Sequence, residues 1–339
     1  MITFESDYTN GACPQIIERL TETNHEQQVG YLQDDYCRSA RRKIAEACGH
    51  EDAQIYLAVG GTQTNALVIG SSLKDYQGVI AAKTGHISLH EGGAIEFTGH
   101  KVIELGHTLG KVCAKELKAY LEGFYSDDNH DKMVSPAMLY ISFPTEYGTV
   151  YSKAELTELS EICHSYDMQL YIDGARMGYG LAASDVTLKD IYELCDIFYI
   201  GGTKVGALCG EAIVFTRHNM PECFEIVARQ RGAMIAKGRL LGVQFDTLFT
   251  DGLYLKIGKH AVDMAMKIRD LFTSRGYQMF IDSPTNQQFV ILENSRMEEL
   301  KKHVGFCFWE KYDDDHTVVR FASSWSTTEE DLKVLASVI

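Results

Sequence analysis

The stretch IYELCDIFYIGGTKVGALCGEAIVF, residues 191–215, decides the fold. Residues 196–200 (DIFYI) form a short run of apolar, aromatic and β-branched residues, which predicts a buried strand. The run stops at Gly201-Gly202, and Lys204 follows in a turn that is too rich in glycine to be helical. A second apolar run covers residues 212–215. The stretch therefore predicts two strands with a lysine in the turn between them.

Another strand is predicted earlier in the chain, at residues 168–172 (MQLYI). It ends directly in Asp173-Gly174-Ala175-Arg176. A predicted helix at residues 187–194 separates it from the strand at 196–200. Strand, helix and strand form a βαβ unit, which requires the two strands to be parallel. Asp173 and Lys204 therefore leave the carboxyl edge of one sheet, where open α/β folds bind ligands.

An aspartate and a lysine at one sheet edge suit the cofactor pyridoxal phosphate. This cofactor needs a lysine to bind its aldehyde and a carboxylate to face its pyridine nitrogen. The carboxylate keeps that nitrogen protonated, because a nearby opposite charge favours the charged form. An ordinary pair of α/β loops explains the two residues equally well, so the pair alone leaves both interpretations open.

A glycine turn opens a predicted helix earlier in the chain. A strand is predicted at residues 54–59, and Gly60-Gly61-Thr62 follows it at the start of the helix. The free backbone N–H groups of such a turn favour an anion, and pyridoxal phosphate carries a phosphate. The turn is not a P-loop, because no Gly-Lys-Ser/Thr ends it.

The segment GHISLHEGG, residues 85–93, contains two histidines four residues apart. His86, His90 and Glu91 could suggest a metal site, but the His-Glu-x-x-His order is absent and no third ligand is spaced nearby. We therefore predict no metal. One of these histidines is expected to stack on the cofactor ring, and a structural role is expected for His90.

Composition excludes several classes of partner. The net charge of −15 argues against binding to nucleic acid or to an anionic membrane surface, since both need a basic surface. Nine scattered cysteines predict reduced thiols rather than a disulfide framework. The N-terminus lacks the apolar core of a signal peptide, and no apolar run approaches the ~20 residues of a membrane helix. We expect a cytoplasmic protein.

The pattern changes in the second half of the chain, which predicts a second domain. The expectation is a large α/β domain at residues 1–250, beginning with an N-terminal arm, and a small α+β domain at residues 251–339. From residue 277 onward the pattern indicates strands and helices in the order strand, strand, helix, strand, strand, helix: 277–281, 287–292, 297–304, 306–310, 317–322 and 327–338.

In order and spacing, these segments resemble the threonine aldolase / β-eliminating lyase family of pyridoxal-phosphate enzymes. The resemblance runs nearly end to end and implies the fold type I architecture, with a mostly parallel sheet in the large domain. The segments that carry it are Ser6-Asp7, Gly61-Thr62, His86 with Glu91-Gly92-Gly93, Asp173-Gly174-Ala175-Arg176, Lys204, Val319-Arg320-Phe321, Trp325 and Glu330-Asp331.

The resemblance implies a role for each site residue. Lys204 would bind the cofactor covalently, and Asp173 would pair with its pyridine nitrogen. Gly61 and Thr62 would hold its phosphate, and His86 would stack on its ring. Arg176 is also expected to contact the cofactor. The substrate carboxylate or its surroundings would be gripped by Ser6, Arg176 and Arg320. Arginine suits this task because its planar fork donates two parallel hydrogen bonds.

The resemblance also implies a homodimer or homotetramer with the active site between subunits. Arg231 or Lys237 could then reach the phosphate bound to the neighbouring subunit. The chain departs from the family where it has Gly60 and Thr203, since serine is usual at both positions. It also has Phe143-Pro144-Thr145-Glu146-Tyr147 in place of a usual Glu-Asn-Thr-His stretch, at the mouth of the substrate site.

The expected reaction is retro-aldol cleavage of L-threonine or L-allo-threonine to glycine and acetaldehyde. His86, or a water that it holds, would take the proton of the β-hydroxyl group. The alternative is β-elimination from a β-substituted amino acid, in which Lys204 takes the α-proton. Transamination and a non-catalytic cofactor-binding protein are two further alternatives, and the presence of Asp173, Lys204 and the arginines argues against the last.

Overall fold

The computed structural model describes residues 2–339. Its strands are β1 (Ile2–Thr3), β2 (Gln54–Ala58), β3 (Gln77–Ala82), β4 (Val102–Leu105), β5 (Ser135–Ser142), β6 (Gln169–Asp173), β7 (Ile197–Gly201), β8 (Glu211–Phe215), β9 (Met279–Ile281), β10 (Gln287–Glu293), β11 (Val304–Gly305), β12 (Cys307–Lys311) and β13 (His316–Ala322).

The α-helices are α1 (Pro14–Glu22), α2 (Asp35–Cys48), α3 (Gly61–Ser72), α4 (His86–Leu89), α5 (Ala114–Ser126), α6 (Lys153–Ser165), α7 (Met177–Ala182), α8 (Leu188–Leu194), α9 (Phe224–Gln230), α10 (Arg239–Leu248), α11 (Leu253–Thr273), α12 (Asn294–Leu300) and α13 (Glu329–Val338). Within residues 2–339, no helix is long and apolar enough to cross a membrane.

The larger sheet has seven strands in the order β2-β8-β7-β6-β5-β3-β4. Strand β8 runs antiparallel to both of its neighbours, and the other pairings are parallel. The predicted βαβ unit is confirmed, because β6 and β7 pair in parallel with Tyr171 opposite Ile197. All five residues of β7 are buried, as expected for a central strand covered on both faces.

Local sequence explains where several helices begin. Helix α6 starts with a capping box, in which Ser152 and Glu155 each satisfy a backbone N–H of the other. Thr187 and Asp190 form a second capping box at the start of α8. Helix α8 is the crossover that returns the chain to the sheet beside β6, and it thereby brings Lys204 to the edge where Asp173 lies.

The C-terminal sheet is antiparallel, in the order β12-β13-β10-β9. One predicted segment is wrong at its end: the helix predicted at residues 297–304 ends at Leu300, and Val304 begins β11 instead. Val304 is drawn into a strand because β11 pairs in parallel with β1, opposite Ile2. This long-range pairing has no local signal in the sequence.

The two ends of the chain meet in the C-terminal module. Phe4 is buried in its apolar core, and the Phe4 N–H donates to the Gly305 carbonyl oxygen at 2.7 Å. Helix α11 joins both parts, because Tyr254 packs in the core of the large sheet while Ile268 and Phe272 lie in the C-terminal core. The domain boundary near residue 250 stays a prediction.

Candidate active site

Asp173 ends β6 inside the protein, and only 4% of its surface is exposed. Its Oδ1 accepts hydrogen bonds from the Tyr199 hydroxyl (2.5 Å) and the Ala175 N–H (3.0 Å). Its Oδ2 accepts from the Tyr140 hydroxyl (2.6 Å) and the Asn65 side-chain amide (3.1 Å). Four donors thus hold this carboxylate in a fixed orientation.

The surroundings keep Asp173 charged. Burial acts to raise the pKa of this carboxyl group, but nearby His86 and the two tyrosine hydroxyls outweigh it and hold the pKa below its usual value. Burial, together with the Asp173 charge, raises the pKa of Tyr140 and of Tyr199 well above 10, so both hydroxyls stay protonated and donate. The carboxylate can therefore face a protonated pyridine nitrogen.

Lys204 lies in the turn between β7 and β8, as predicted. Glu211 at the start of β8 fixes this turn, accepting from the Thr203 hydroxyl (2.8 Å) and from the Gly202 N–H (3.2 Å). Burial and the neighbouring Arg176 guanidinium lower the pKa of the Lys204 amine. A lowered pKa leaves more of the amine neutral, which is the nucleophilic form.

His86 begins the short helix α4 and is held by a buried carboxylate. Its Nδ1 lies 2.7 Å from Oε1 of Glu91, whose side chain is fully buried. The Asn65 amide donates to the same oxygen at 2.7 Å, so one amide links Glu91 to Asp173. The Tyr171 hydroxyl donates to the Asn65 oxygen at 2.7 Å and fixes the orientation of that amide.

The glycine turn opens α3 without a side-chain cap. A Cβ added at Gly60 would meet no protein atom within 4 Å, so the space beside the helix start is open. A Cβ at Gly61 would lie 3.1 Å from the Tyr199 hydroxyl oxygen, which explains the glycine at that position. Open space at an uncapped helix N-terminus fits a phosphate group.

Two adjoining cavities contain these side chains. Cavities of 530 Å³ and 310 Å³ share five lining residues: Tyr8, His86, Glu146, Arg176 and Lys204. The smaller cavity adds Gly61, Thr62 and Asp173, and the larger one adds Tyr147, Trp309 and Arg320. A half-buried lysine, a buried carboxylate and an open helix start around one cavity fit pyridoxal phosphate.

Arg176 forms an ion pair with Asp7 of the N-terminal arm, a contact that was not expected from the sequence. Its Nε and Nη2 donate to the two carboxylate oxygens of Asp7 at 2.6 and 3.0 Å, and both side chains are largely buried. Asn286 donates to Asp7 as well, at 2.9 Å. Arg176 therefore anchors the arm, although it also lines both cavities. Its expected grip on the substrate carboxylate stays a prediction.

Ser6 and Arg320 lie near this anchor. Ser6 is buried, and within residues 2–339 its hydroxyl has no hydrogen-bond partner. Arg320 donates to the Gln287 side chain at 3.0 Å and to the Glu5 carbonyl oxygen at 3.2 Å, and its guanidinium lies 5.6 Å from the centre of the Trp309 ring. Arg320 thus joins the arm to the wall of the larger cavity.

Several residues of this site were not predicted from the sequence. Tyr199 lies in a predicted strand, but nothing local indicates that its hydroxyl, or that of Tyr140, meets Asp173. Four further residues lie in or beside the sequence motifs described above, but the tertiary structure decides which side chains they contact. They are Asn65, Glu91, Glu146 and Glu211. Within residues 2–339, no three or more histidine, cysteine, aspartate or glutamate side chains are grouped in a way that could hold a metal ion.

The chain is similar to known proteins in both sequence and structure. The family model described as "Beta-eliminating lyase" matches residues 3–291. The low specificity L-threonine aldolase of a Pseudomonas species is 28% identical, with 99% of this chain and 96% of that protein covered.

Two solved structures illustrate the range of similarity. A Leishmania major threonine aldolase is 37% identical with a TM-score of 0.96, covering 100% of this chain and 98% of the other. Cystalysin from Treponema denticola, whose structure contains pyridoxal 5'-phosphate, is 18% identical with a TM-score of 0.71, over 100% of this chain and 90% of that chain. The second similarity concerns the fold alone.

Proposed function

Because the chain belongs to the β-eliminating lyase family, and is thus a pyridoxal-phosphate-dependent lyase, we propose that it cleaves a β-hydroxy-α-amino acid. The proposed substrate is L-threonine or L-allo-threonine, and the products are glycine and acetaldehyde. The observation that carries this choice is the similarity to threonine aldolases along almost the full length of both chains.

The cofactor, when bound, supplies an electron-withdrawing ring that accepts the electron pair released at the substrate's α-carbon. Lys204 would bind it covalently, and Asp173 would pair with its pyridine nitrogen. Gly61 and Thr62 would hold its phosphate at the start of α3, and His86 would pack against its ring. The hydrogen bonds around Asp173 and the open space beside Gly60 support these assignments.

The arm and the C-terminal module would hold the substrate. Arg320 and Ser6 are proposed to bind the substrate carboxylate, and Arg176 would support them by fixing Asp7 in the arm. The unpartnered Ser6 hydroxyl and the position of Arg320 in the cavity wall support this arrangement. Such a clamp aligns the Cα–Cβ bond for cleavage, so its contribution is positional.

A second candidate reaction is β-elimination, which one observation favours. Residues 143–147 differ from the Glu-Asn-Thr-His stretch that is usual in the family, and Glu146 and Tyr147 of this segment line the larger cavity. In that reaction Lys204 would remove the α-proton, and the products would be ammonia and a keto acid.

The test is a product assay. Purified protein is incubated with pyridoxal phosphate and either L-threonine or L-allo-threonine, and acetaldehyde, glycine, ammonia and keto acid are measured together. Equal amounts of acetaldehyde and glycine are expected, with none from Lys204→Ala. Ammonia and keto acid without acetaldehyde would contradict cleavage and favour elimination.

We also propose that the protein works as a homodimer or homotetramer in the cytoplasm. Tyr8, Leu89 and Phe308 line the larger cavity, yet 57%, 56% and 60% of their surfaces are exposed. Large exposed apolar side chains around a cavity are typical of a surface that another chain covers. In such an assembly Arg231 or Lys237 would reach the phosphate bound to the neighbouring subunit.

A further inference from the structure

Glu146 is a half-buried acid to which the proposed mechanism assigns no role. It lies in the loop after β5 and lines both cavities, together with His86 and Lys204. It belongs to the segment in which this chain departs from the usual sequence of its family. Among the five residues that line both cavities, it is the one carboxylic acid.

The two oxygens of Glu146 have different surroundings. Oε1 accepts hydrogen bonds from the Ser142 hydroxyl (2.7 Å) and from the backbone N–H of His86 (3.0 Å). Oε2 is buried, and within residues 2–339 it has no hydrogen-bond partner. A buried carboxylate oxygen without a partner is costly, so native proteins retain one chiefly where a ligand or a reaction uses it.

We propose that Glu146 is the catalytic base that takes the β-hydroxyl proton, an inference that rests on the proposed aldol cleavage. The O–H bond of the substrate breaks and its proton moves to the carboxylate of Glu146. The Cα–Cβ bond breaks, the C–O bond becomes the C=O of the aldehyde, and the electron pair stays at the α-carbon. That carbon then takes up one proton as Glu146 gives one up, so no other reactant is consumed.

His86 suits this role less well. Its Nδ1 is bound to Glu91, and a ring that packs against the cofactor presents its face rather than its remaining nitrogen. Glu146 and His86 would therefore divide two tasks, with His86 holding the cofactor and Glu146 moving the proton. The Ser142 hydroxyl fixes the orientation of the Glu146 carboxylate at the cavity wall.

The electrostatic surroundings of Glu146 suit a group that gains and loses a proton. Burial raises the pKa of its carboxyl group, and the charge of Asp173 on β6 acts in the same direction. His86 on α4 and the hydrogen bond from Ser142 act in the opposite direction. Its surroundings also include the titratable hydroxyls of Tyr140, Tyr147 and Tyr151, and Lys204 and Arg176 line the same two cavities. A general base works best when its pKa lies near the working pH.

The test is Glu146→Gln, which keeps an oxygen for Ser142 and for the His86 N–H but cannot take a proton. Three properties are compared with those of the unchanged protein: cleavage of L-allo-threonine, exchange of the α-protons of glycine in heavy water, and thermal unfolding of the cofactor-free protein. Glycine has no β-hydroxyl group, so its exchange does not need this base. Glu161→Gln, an exposed glutamate on α6, is the matched control.

Cleavage is expected to fall by a factor on the order of 10² to 10⁴ in Glu146→Gln, the usual contribution of a positioned general base. Glycine exchange is expected to stay within about threefold, and unfolding is expected at the same or a higher temperature, because a buried charge is removed. Glu146→Asp is expected to recover part of the lost cleavage.

Three results would overturn the inference. Unchanged cleavage in Glu146→Gln would exclude Glu146 as the base. Equal losses of cleavage and glycine exchange, or unfolding several degrees lower, would mean that Glu146 only supports the structure. If the unchanged protein exchanges glycine protons but cleaves no β-hydroxy amino acid, the proposed function fails and this inference fails with it.

Discussion

Asp173 accepts hydrogen bonds from Tyr140, Tyr199, Asn65 and Ala175, which makes it the most closely held acid of the site. Asp173→Asn keeps its shape but removes the charge that faces the pyridine nitrogen. Loss of a buried, hydrogen-bonded charge pair costs about 2–5 kcal/mol, so cofactor affinity should fall on the order of 10²-fold or more. Cofactor absorbance during titration of the cofactor-free protein measures this.

A control for that variant removes a hydroxyl without removing the charge. Tyr140→Phe leaves Asp173 charged and takes away one of its donors, so a smaller loss is expected, about tenfold, from one hydrogen bond to a charged group. Equal affinity in Asp173→Asn and in the unchanged protein would contradict the role of Asp173.

The ion pair between Asp7 and Arg176 predicts a pH-dependent contribution to stability. Burial acts to raise the pKa of Asp7, but Arg176 and Lys204 hold it below the usual 3.8. The carboxylate therefore stabilises the fold above that pH, and the contribution is lost as the pH falls through the lowered pKa. Asp7→Asn should reduce the free energy of unfolding by about 3 kcal/mol at neutral pH, because Arg176 stays buried without its partner.

Urea unfolding of Asp7→Asn and of the unchanged protein, repeated from neutral pH into acid, measures this contribution. The difference between the two should be constant at neutral pH and shrink below about pH 4. Glu5→Gln, an exposed neighbour in the arm, should have little effect at any pH. A difference that grows in acid would contradict the pairing.

The sequence predicts some of these residues and not others for a physical reason. Lys204 and Asp173 could be predicted together because one βαβ unit forces both to the same sheet edge. Asp7 and Arg176 are separated by 169 positions, and no local pattern indicates that the arm returns to contact the segment that follows β6. Glu146 is visible only as a departure from the family motif.

Among the helices and strands, the start of α3 allows the most direct test of how a secondary-structure element contributes to cofactor binding. Gly61→Ala would bring a methyl group to 3.1 Å from the Tyr199 hydroxyl oxygen, displacing the donor that holds Asp173. Cofactor affinity should fall about tenfold, corresponding to about 1.4 kcal/mol. The same titration by absorbance measures it.

Gly123→Ala is the matched control for that change, because Gly123 lies on the exposed side of α5 and its Cβ would meet no atom within 4 Å. Alanine there should stabilise the helix by up to about 1 kcal/mol and leave cofactor affinity unchanged. If both variants bind the cofactor as the unchanged protein does, the contact between Gly61 and Tyr199 has no role in binding.

Elements with strong local signals could be predicted, and those that depend on pairing could not. The strands β6 and β7 agree with the strands predicted at residues 168–172 and 196–200. Strand β3 has a weak local signal, because its segment QGVIAA combines glycine and alanine, which favour strands poorly. Strand β11 exists only through its pairing with β1.

For the whole molecule, the prediction concerns assembly. If a second chain covers Tyr8, Leu89 and Phe308, light scattering should give two or four chains per particle, and specific activity should fall on dilution below the dissociation constant. Phe308→Asp should shift the protein towards the monomer, since a charge replaces an apolar contact. A monomer with full activity at all concentrations would contradict an active site shared between subunits.

The claim on which the rest depends is that Lys204 binds the cofactor beside Asp173. Reduction of the cofactor-loaded protein with borohydride, followed by peptide mapping with mass spectrometry, tests it most directly. We expect a pyridoxyl phosphate group on the peptide that contains Lys204, and no such group in Lys204→Ala. Modification of a different lysine, or an unmodified Lys204 in protein that retains the cofactor, would contradict the claim.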